Sequence, residues 1–125
     1  VTGETSFRLG RFAPTLGVRD IDASYQAYNA VFGLQKVFSN GDPVGFMILK
    51  AGAAELHLTL QKGHHAAPFN VAHLMVDDVD AVHARCVAQG LRIIKRVQDK
   101  DYGLRAFVFA DPDGNRIDVG QALER

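Results

Sequence analysis

A chain of 125 residues, 47% of them apolar, is long enough for a compact core and too hydrophobic to be disordered. Its 14 acidic and 14 basic residues cancel and are interspersed, which excludes a charge field steering it to nucleic acid or an anionic membrane. No apolar run approaches the ~20 residues of a membrane span, and the opening VTGETSFRLGRF lacks the apolar centre of a signal peptide. The single cysteine, Cys86, excludes an internal disulfide framework and fits a reducing cytoplasm.

The first alternating pattern, Ala13 to Val18, predicts a strand running into Asp20. Asp20 stands where a side-chain oxygen can accept from the free amides of a helix's first turn. The helix that follows is predicted to bury Ile21, Ser24, Tyr25, Tyr28 and Phe32 and to stop at Gly33. Three strand-like stretches come next, LQKVFS, VGFMILKA and AELHLTL. QKGHHAAPFN reads as a linker, and its neighbouring His64 and His65 are expected in a solvated loop. On an extended chain they point in different directions, so they are poor joint ligands for one ion.

The chain then repeats itself. HLMVDDVDA, beginning at His73, copies the frame of TLGVRDIDA, beginning at Thr15. Asp78 is the second predicted cap, and the second helix is predicted to bury Val79, Val82, Cys86 and Val87 before Gly90. RIIKRVQ, LRAFVFA and RIDVGQ supply three more strands, so the order βαβββ occurs twice. Between the last two, Asp111-Pro112-Asp113-Gly114 reads as a tight turn, with Pro112 presetting φ and Gly114 supplying a left-handed conformation. The helical spacing of Tyr25, Tyr28 and Cys86 assigns them to packing rather than chemistry.

Two βαβββ halves, the segment LGVRDIDASYQAY and the DPDGN turn before a final strand resemble the vicinal oxygen chelate superfamily over residues 11–121. That superfamily includes glyoxalases, extradiol dioxygenases, fosfomycin-resistance proteins and bleomycin-resistance proteins. DVDAVHARCVAQGL and DYGLRAFVFADPDGNRIDVGQ are most similar to its bleomycin-resistance and related antibiotic-binding branch. The resemblance implies an α+β fold: one domain over residues 1–125, made of two modules at about 8–62 and 69–122. Each module curls its mixed sheet around a cleft with its helix on the outer face, and a homodimer builds each cleft from both subunits.

On that fold a period of two assigns the faces. Ala13, Thr15 and Gly17 fall on the cleft, as do Glu55, His57 and Thr59, then Val71, His73 and Met75, and finally Arg116 and Asp118. The helix side takes Leu16, Val18, Leu56, Leu58, Leu60, Ala72, Leu74, Val76, Ile117 and Val119. Metal-dependent members carry four ligands at positions that correspond here to Ala13, His57, Val71 and Asp118. Two of these are apolar, whereas catalytic zinc usually takes three protein ligands. A rearranged site of His57, His73 and Asp118 would restore two imidazoles and a carboxylate.

The expected function is therefore metal-independent binding of a small molecule, an antibiotic being one candidate, by sequestration at a dimer-interface cleft with no cofactor. Thr15, Glu55, His57, His73, Met75, Tyr102, Arg105, Arg116 and Asp118 are the candidate contacts. Tyr102 and Arg105 are placed near the rim by resemblance alone, because both faces of their strand are apolar. The alternative is a divalent-metal-dependent lyase or oxygenase using the rearranged site.

Overall fold

A computed structural model describes residues 6–124. The first module comprises β1 (Thr15–Val18), α1 (Ile21–Phe32), β2 (Gln35–Asn40), β3 (Phe46–Ala51) and β4 (Ala54–Leu60). The second comprises β5 (Asn70–Met75), α2 (Val79–Ala88), β6 (Arg92–Asp99), β7 (Leu104–Ala110) and β8 (Arg116–Ala122). Each module forms its own four-stranded mixed sheet, ordered β1-β4-β3-β2 and β5-β8-β7-β6. The first and last strands of each module pair in parallel, and the remaining neighbours are antiparallel. This is the expected α+β arrangement of two βαβββ units.

Both helices begin where the sequence places them. Asp20 accepts from the Ala23 amide at 3.0 Å and Asp78 from the Ala81 amide at 3.1 Å, each cap contributing about 1 kcal/mol. Gly33 ends α1 in the left-handed region, at φ 73°, and its amide donates to the Asn29 carbonyl. On α2, Val79 and Cys86 are buried, but Val87 is exposed, contrary to its expected burial. It sits about 100° round the helix from Cys86, outside the apolar stripe. On α1, Tyr25 and Phe32 pack at the core's edge, and Val31 takes the buried position instead.

One hydrophobic core serves both modules. Leu16, Val18, Leu56 and Leu58 of the first sheet join Phe107, Phe109, Ile117 and Val119 of the second, with Tyr28 between them. The helix-side faces of the two sheets therefore share an interior, and the opposite faces are left for other contacts. Among the described residues, no helix is long and apolar enough to cross a membrane.

A polar clasp ties the modules together at the β7–β8 turn. Asp111 Oδ1 accepts the amides of Asp113 and Asn115 at 2.8 and 2.9 Å, and its Oδ2 accepts the Tyr28 hydroxyl at 2.8 Å. Asn115 Nδ2 donates to the Gly17 carbonyl at 2.9 Å, while its Oδ1 accepts from His64 Nε2 at 2.8 Å. Asp113 accepts from both the amide and the guanidinium of Arg19, at 2.9 and 3.0 Å. His64 is thus a partly buried strut of this clasp rather than a solvated loop residue; His65 does remain exposed. With both amide hydrogens donated, to the Gly17 carbonyl and to Asp111 Oδ2 at 3.0 Å, Asn115 offers the imidazole only its oxygen, which fixes His64 Nε2 as the donor.

Candidate functional site

The period-two assignment of faces holds at most strands. In β4, Leu56 and Leu58 are buried, leaving Glu55 and His57 on the cleft face; in β8, Ile117 and Val119 are buried, leaving Asp118 there. Strand pairing sets Thr15 directly beside His57, and His73 directly beside Asp118. Val71 departs from the expectation. A one-residue register shift between Asn70 and Ala72 interrupts the alternation, and Val71 packs against the core.

On the first sheet, Glu55 and His57 form one unit. Their side chains meet at 2.6 Å through Oε2 and Nε2, and the carboxylate must accept. Glu55 has a side chain only 5% exposed, yet its Oε1 has no aligned donor. Arg11 Nε at 2.7 Å and Lys50 Nζ at 3.7 Å compensate that oxygen by charge. The hydrogen bond from His57, aided by these cations, holds the carboxyl below its ordinary value against the opposing effect of burial. Around the pair lie Phe46, edge-on to the His57 ring at 5.5 Å, and Phe38, 6.3 Å from Phe46. Neither phenylalanine was among the sequence candidates. The alternation of Phe46, Ile48 and Lys50 with buried Met47 and Leu49 was the signal for that strand.

On the second sheet, His73 Nδ1 donates to Asp118 Oδ2 at 2.8 Å, and its Nε2 lies 3.1 Å from the Met75 sulfur. Gly120 lies below. A Cβ there would come within 3.3 Å of His73 and 3.4 Å of Met75.

The remaining candidates are dispersed. Arg116, at the start of β8, is half-buried, and Thr15 is exposed at the start of β1. Tyr102 is exposed in the β6–β7 turn. Both parities of β7 are buried, so it is the ion pair with Asp80 of α2 that turns Arg105 to the helix side rather than to the cleft rim. There it bridges Asp80 of α2 at 3.0 Å and Asp99 of β6 at 2.9 Å. These two carboxylates raise its affinity for the proton further.

A groove of about 240 Å³ separates the two modules beside these strands. Phe12, Phe32, Leu34 and Leu74 are among its lining residues, as are Tyr28, Glu55 and His73.

The ligand set that metal-dependent relatives of such a fold carry does not fit here. Of the four corresponding positions, Ala13 and Val71 offer no donor, and Val71 is turned toward the core. His57 and the His73–Asp118 pair stand in separate sheets. Among the described residues, no group of three histidine, cysteine, aspartate or glutamate side chains is placed to hold an ion.

Two βαβββ sheets sharing one core, each with a carboxylate–imidazole pair on its free face, define a paired-module α+β protein with open cleft surfaces. The family model described as the Glyoxalase/Bleomycin resistance protein/Dioxygenase superfamily matches residues 8–119, and the chain belongs to that superfamily. Among solved structures it is similar to a bleomycin-binding protein complexed with bleomycin, at 25% identity and a TM-score of 0.74, covering 90% of this chain and 98% of that one. It is also similar to lactoylglutathione lyase from Agrobacterium tumefaciens, at 24% identity and TM-score 0.70, covering 90% and 92%. The fosfomycin resistance protein FosX from Listeria monocytogenes shares 16% identity and a TM-score of 0.77, covering 93% and 95%. No curated protein matches the chain.

Proposed function

We propose that this chain is a cytoplasmic, homodimeric small-molecule-binding protein that sequesters its ligand without a metal ion. The observation that carries this reading is the chemistry of the two free sheet faces. Each joins a carboxylate–imidazole pair to accessible apolar surface: exposed Phe38 and half-buried Phe46 near Glu55–His57, and exposed Met75 near His73–Asp118. Apolar walls with a few fixed polar groups are the usual composition of a small-molecule pocket. Within one chain the faces flank a shared core, so a second copy would set the His57 face of one subunit against the His73–Asp118 face of the other. The similarity to a bleomycin-binding protein supports a sequestering role.

The competing reading is a metal-dependent lyase or oxygenase, favoured by the way Asp118 already orients the His73 ring. Calorimetric titration of untagged protein separates the two, with bleomycin and fosfomycin as first probes and a thermal-shift screen of small molecules behind them. The expected result is saturable binding that survives a chelator and weakens at least on the order of ten-fold in His57→Ala and Asp118→Ala. Tight uptake of one Mn²⁺, Fe²⁺, Ni²⁺ or Zn²⁺ per site, lost in both variants and accompanied by turnover, would replace this reading with an enzyme.

A further inference from the structure

The internal repeat makes one half of the molecule a reference for the other. The β7–β8 turn closes over the first module: Asn115 reaches the Gly17 carbonyl and Asp111 receives the Tyr28 hydroxyl. Its counterpart between β3 and β4 is Ala51-Gly52-Ala53-Ala54, and the residue that repeats Tyr28 is Cys86, a buried thiol. Methyl groups thus replace the clasp on that side, and the groove of about 240 Å³ lies beside them. A second hollow of about 370 Å³ adjoins it, sharing Phe32, Leu34 and Leu74. Of the polar side chains that line the groove, Tyr28 donates to Asp111 and His73 to Asp118. Glu55 differs from both. Its Oε2 is taken by His57, but Oε1 is buried without an aligned donor, in a side chain only 5% exposed. A buried carboxylate is costly unless it is both paired and hydrogen-bonded.

We propose that this groove between the modules binds a small organic cation, a primary ammonium carrying one aromatic ring or a branched alkyl tail, whose head displaces Arg11 from Glu55 Oε1. Arg11 meets that oxygen at 2.7 Å but is 73% exposed, and a mostly solvated cation is readily exchanged. An ammonium has three rotatable donors and can align one of them where the Arg11 Nε–H does not. The carboxyl is held below its ordinary value, so the negative charge is in place at neutral pH. Phe12, Phe32, Leu34 and Leu74 supply an apolar wall for the tail, and Phe12, fully exposed, gains most by being covered. Pockets for drug-sized ligands begin at ~300 Å³, so a groove of about 240 Å³ selects a smaller molecule. The helix-side residues Leu56, Leu74 and Ile117 line it within a single chain, so the site requires neither a dimer nor a ligand on the free sheet faces.

Calorimetric titration of the full chain with 2-phenylethylammonium chloride tests it, with methylammonium as the head alone and 2-phenylethanol as a neutral counterpart. One molecule per chain is expected, and both control probes should bind at least about ten-fold more weakly. Glu55→Gln should lower the affinity by about ten-fold or more. Arg11→Ala removes the competing cation and should raise it several-fold, a sign that a merely structural ion pair would not give. Ala53→Phe fills the groove while leaving the carboxylate in place, and should abolish binding in a chain whose circular dichroism is unchanged. Should Glu55→Gln fail to fold, the other two variants still decide. Absence of saturable binding, equal affinity for 2-phenylethanol, weaker binding in Arg11→Ala, or full affinity in Ala53→Phe would each overturn the proposal.

Discussion

The Tyr28 hydroxyl donates to Asp111 Oδ2 over 2.8 Å, joining α1 of the first module to the β7–β8 turn of the second. Both groups are buried, and burial is the main cause that pushes each toward its protonated form; for Asp111, the donors Tyr28, Asn115 and Asp113 pull back. With its folded value raised, Asp111 binds its proton more readily in the folded chain. Its contribution to stability therefore falls as pH rises from the ordinary 3.8 through the folded value. Tyr28→Phe removes a donor from the ionised form and should cost about 1.5–3 kcal/mol at neutral pH. Urea denaturation at neutral and at acid pH checks this, the loss being smaller in acid, where a protonated carboxyl needs the donor less.

Gly17 is required by a neighbour rather than by its own backbone. A β-carbon there would stand 2.5 Å from His64 Nδ1. Gly17→Ala should destabilise the chain by about 1–3 kcal/mol, and most of that cost should vanish in a His64→Ala background. A double-mutant cycle measures the coupling; additive effects would mean that the imidazole is not the obstacle.

Glu55 makes the chain sensitive to acid. Its folded value lies below the ordinary 4.5, chiefly through the His57 hydrogen bond, so the unfolded chain binds the extra proton as pH falls. The stability it contributes is present above about pH 4.5 and is lost as pH drops through the folded value. Melting temperatures followed from neutral into acid should fall less steeply for Glu55→Gln than for the wild type.

The Cys86 thiol is pushed up to about 12 by burial alone. Thiolate, not thiol, attacks disulfide reagents. Labelling with such a reagent at neutral pH should therefore be slow in the folded chain and accelerate with denaturant along the unfolding curve. Fast labelling of the native protein would place the thiol outside the core.

The candidate site was legible wherever one face of a strand was plainly apolar. AELHLTL and RIDVGQ alternate cleanly, so Glu55, His57 and Asp118 could be set opposite buried Leu56, Leu58, Ile117 and Val119 from spacing alone. LRAFVFA does not alternate, and the facing of Arg105 was settled only when Asp80 on α2 and Asp99 on β6 came within reach. At Val71 a register shift broke a rule that holds only while pairing is regular.

What the sequence determined by itself was local and periodic: the caps at Asp20 and Asp78, the turn at Gly114, the doubled βαβββ order and the buried side of most strands. These depend on hydrogen bonds within a few residues and on repeats of two or 3.6 residues. Tertiary structure alone decided the pairings between distant positions: His73 with Asp118, His64 with Asn115, Tyr28 with Asp111. Such contacts follow from strand order and from two modules closing on one core, and no periodicity along the chain encodes which distant side chains that closure brings together.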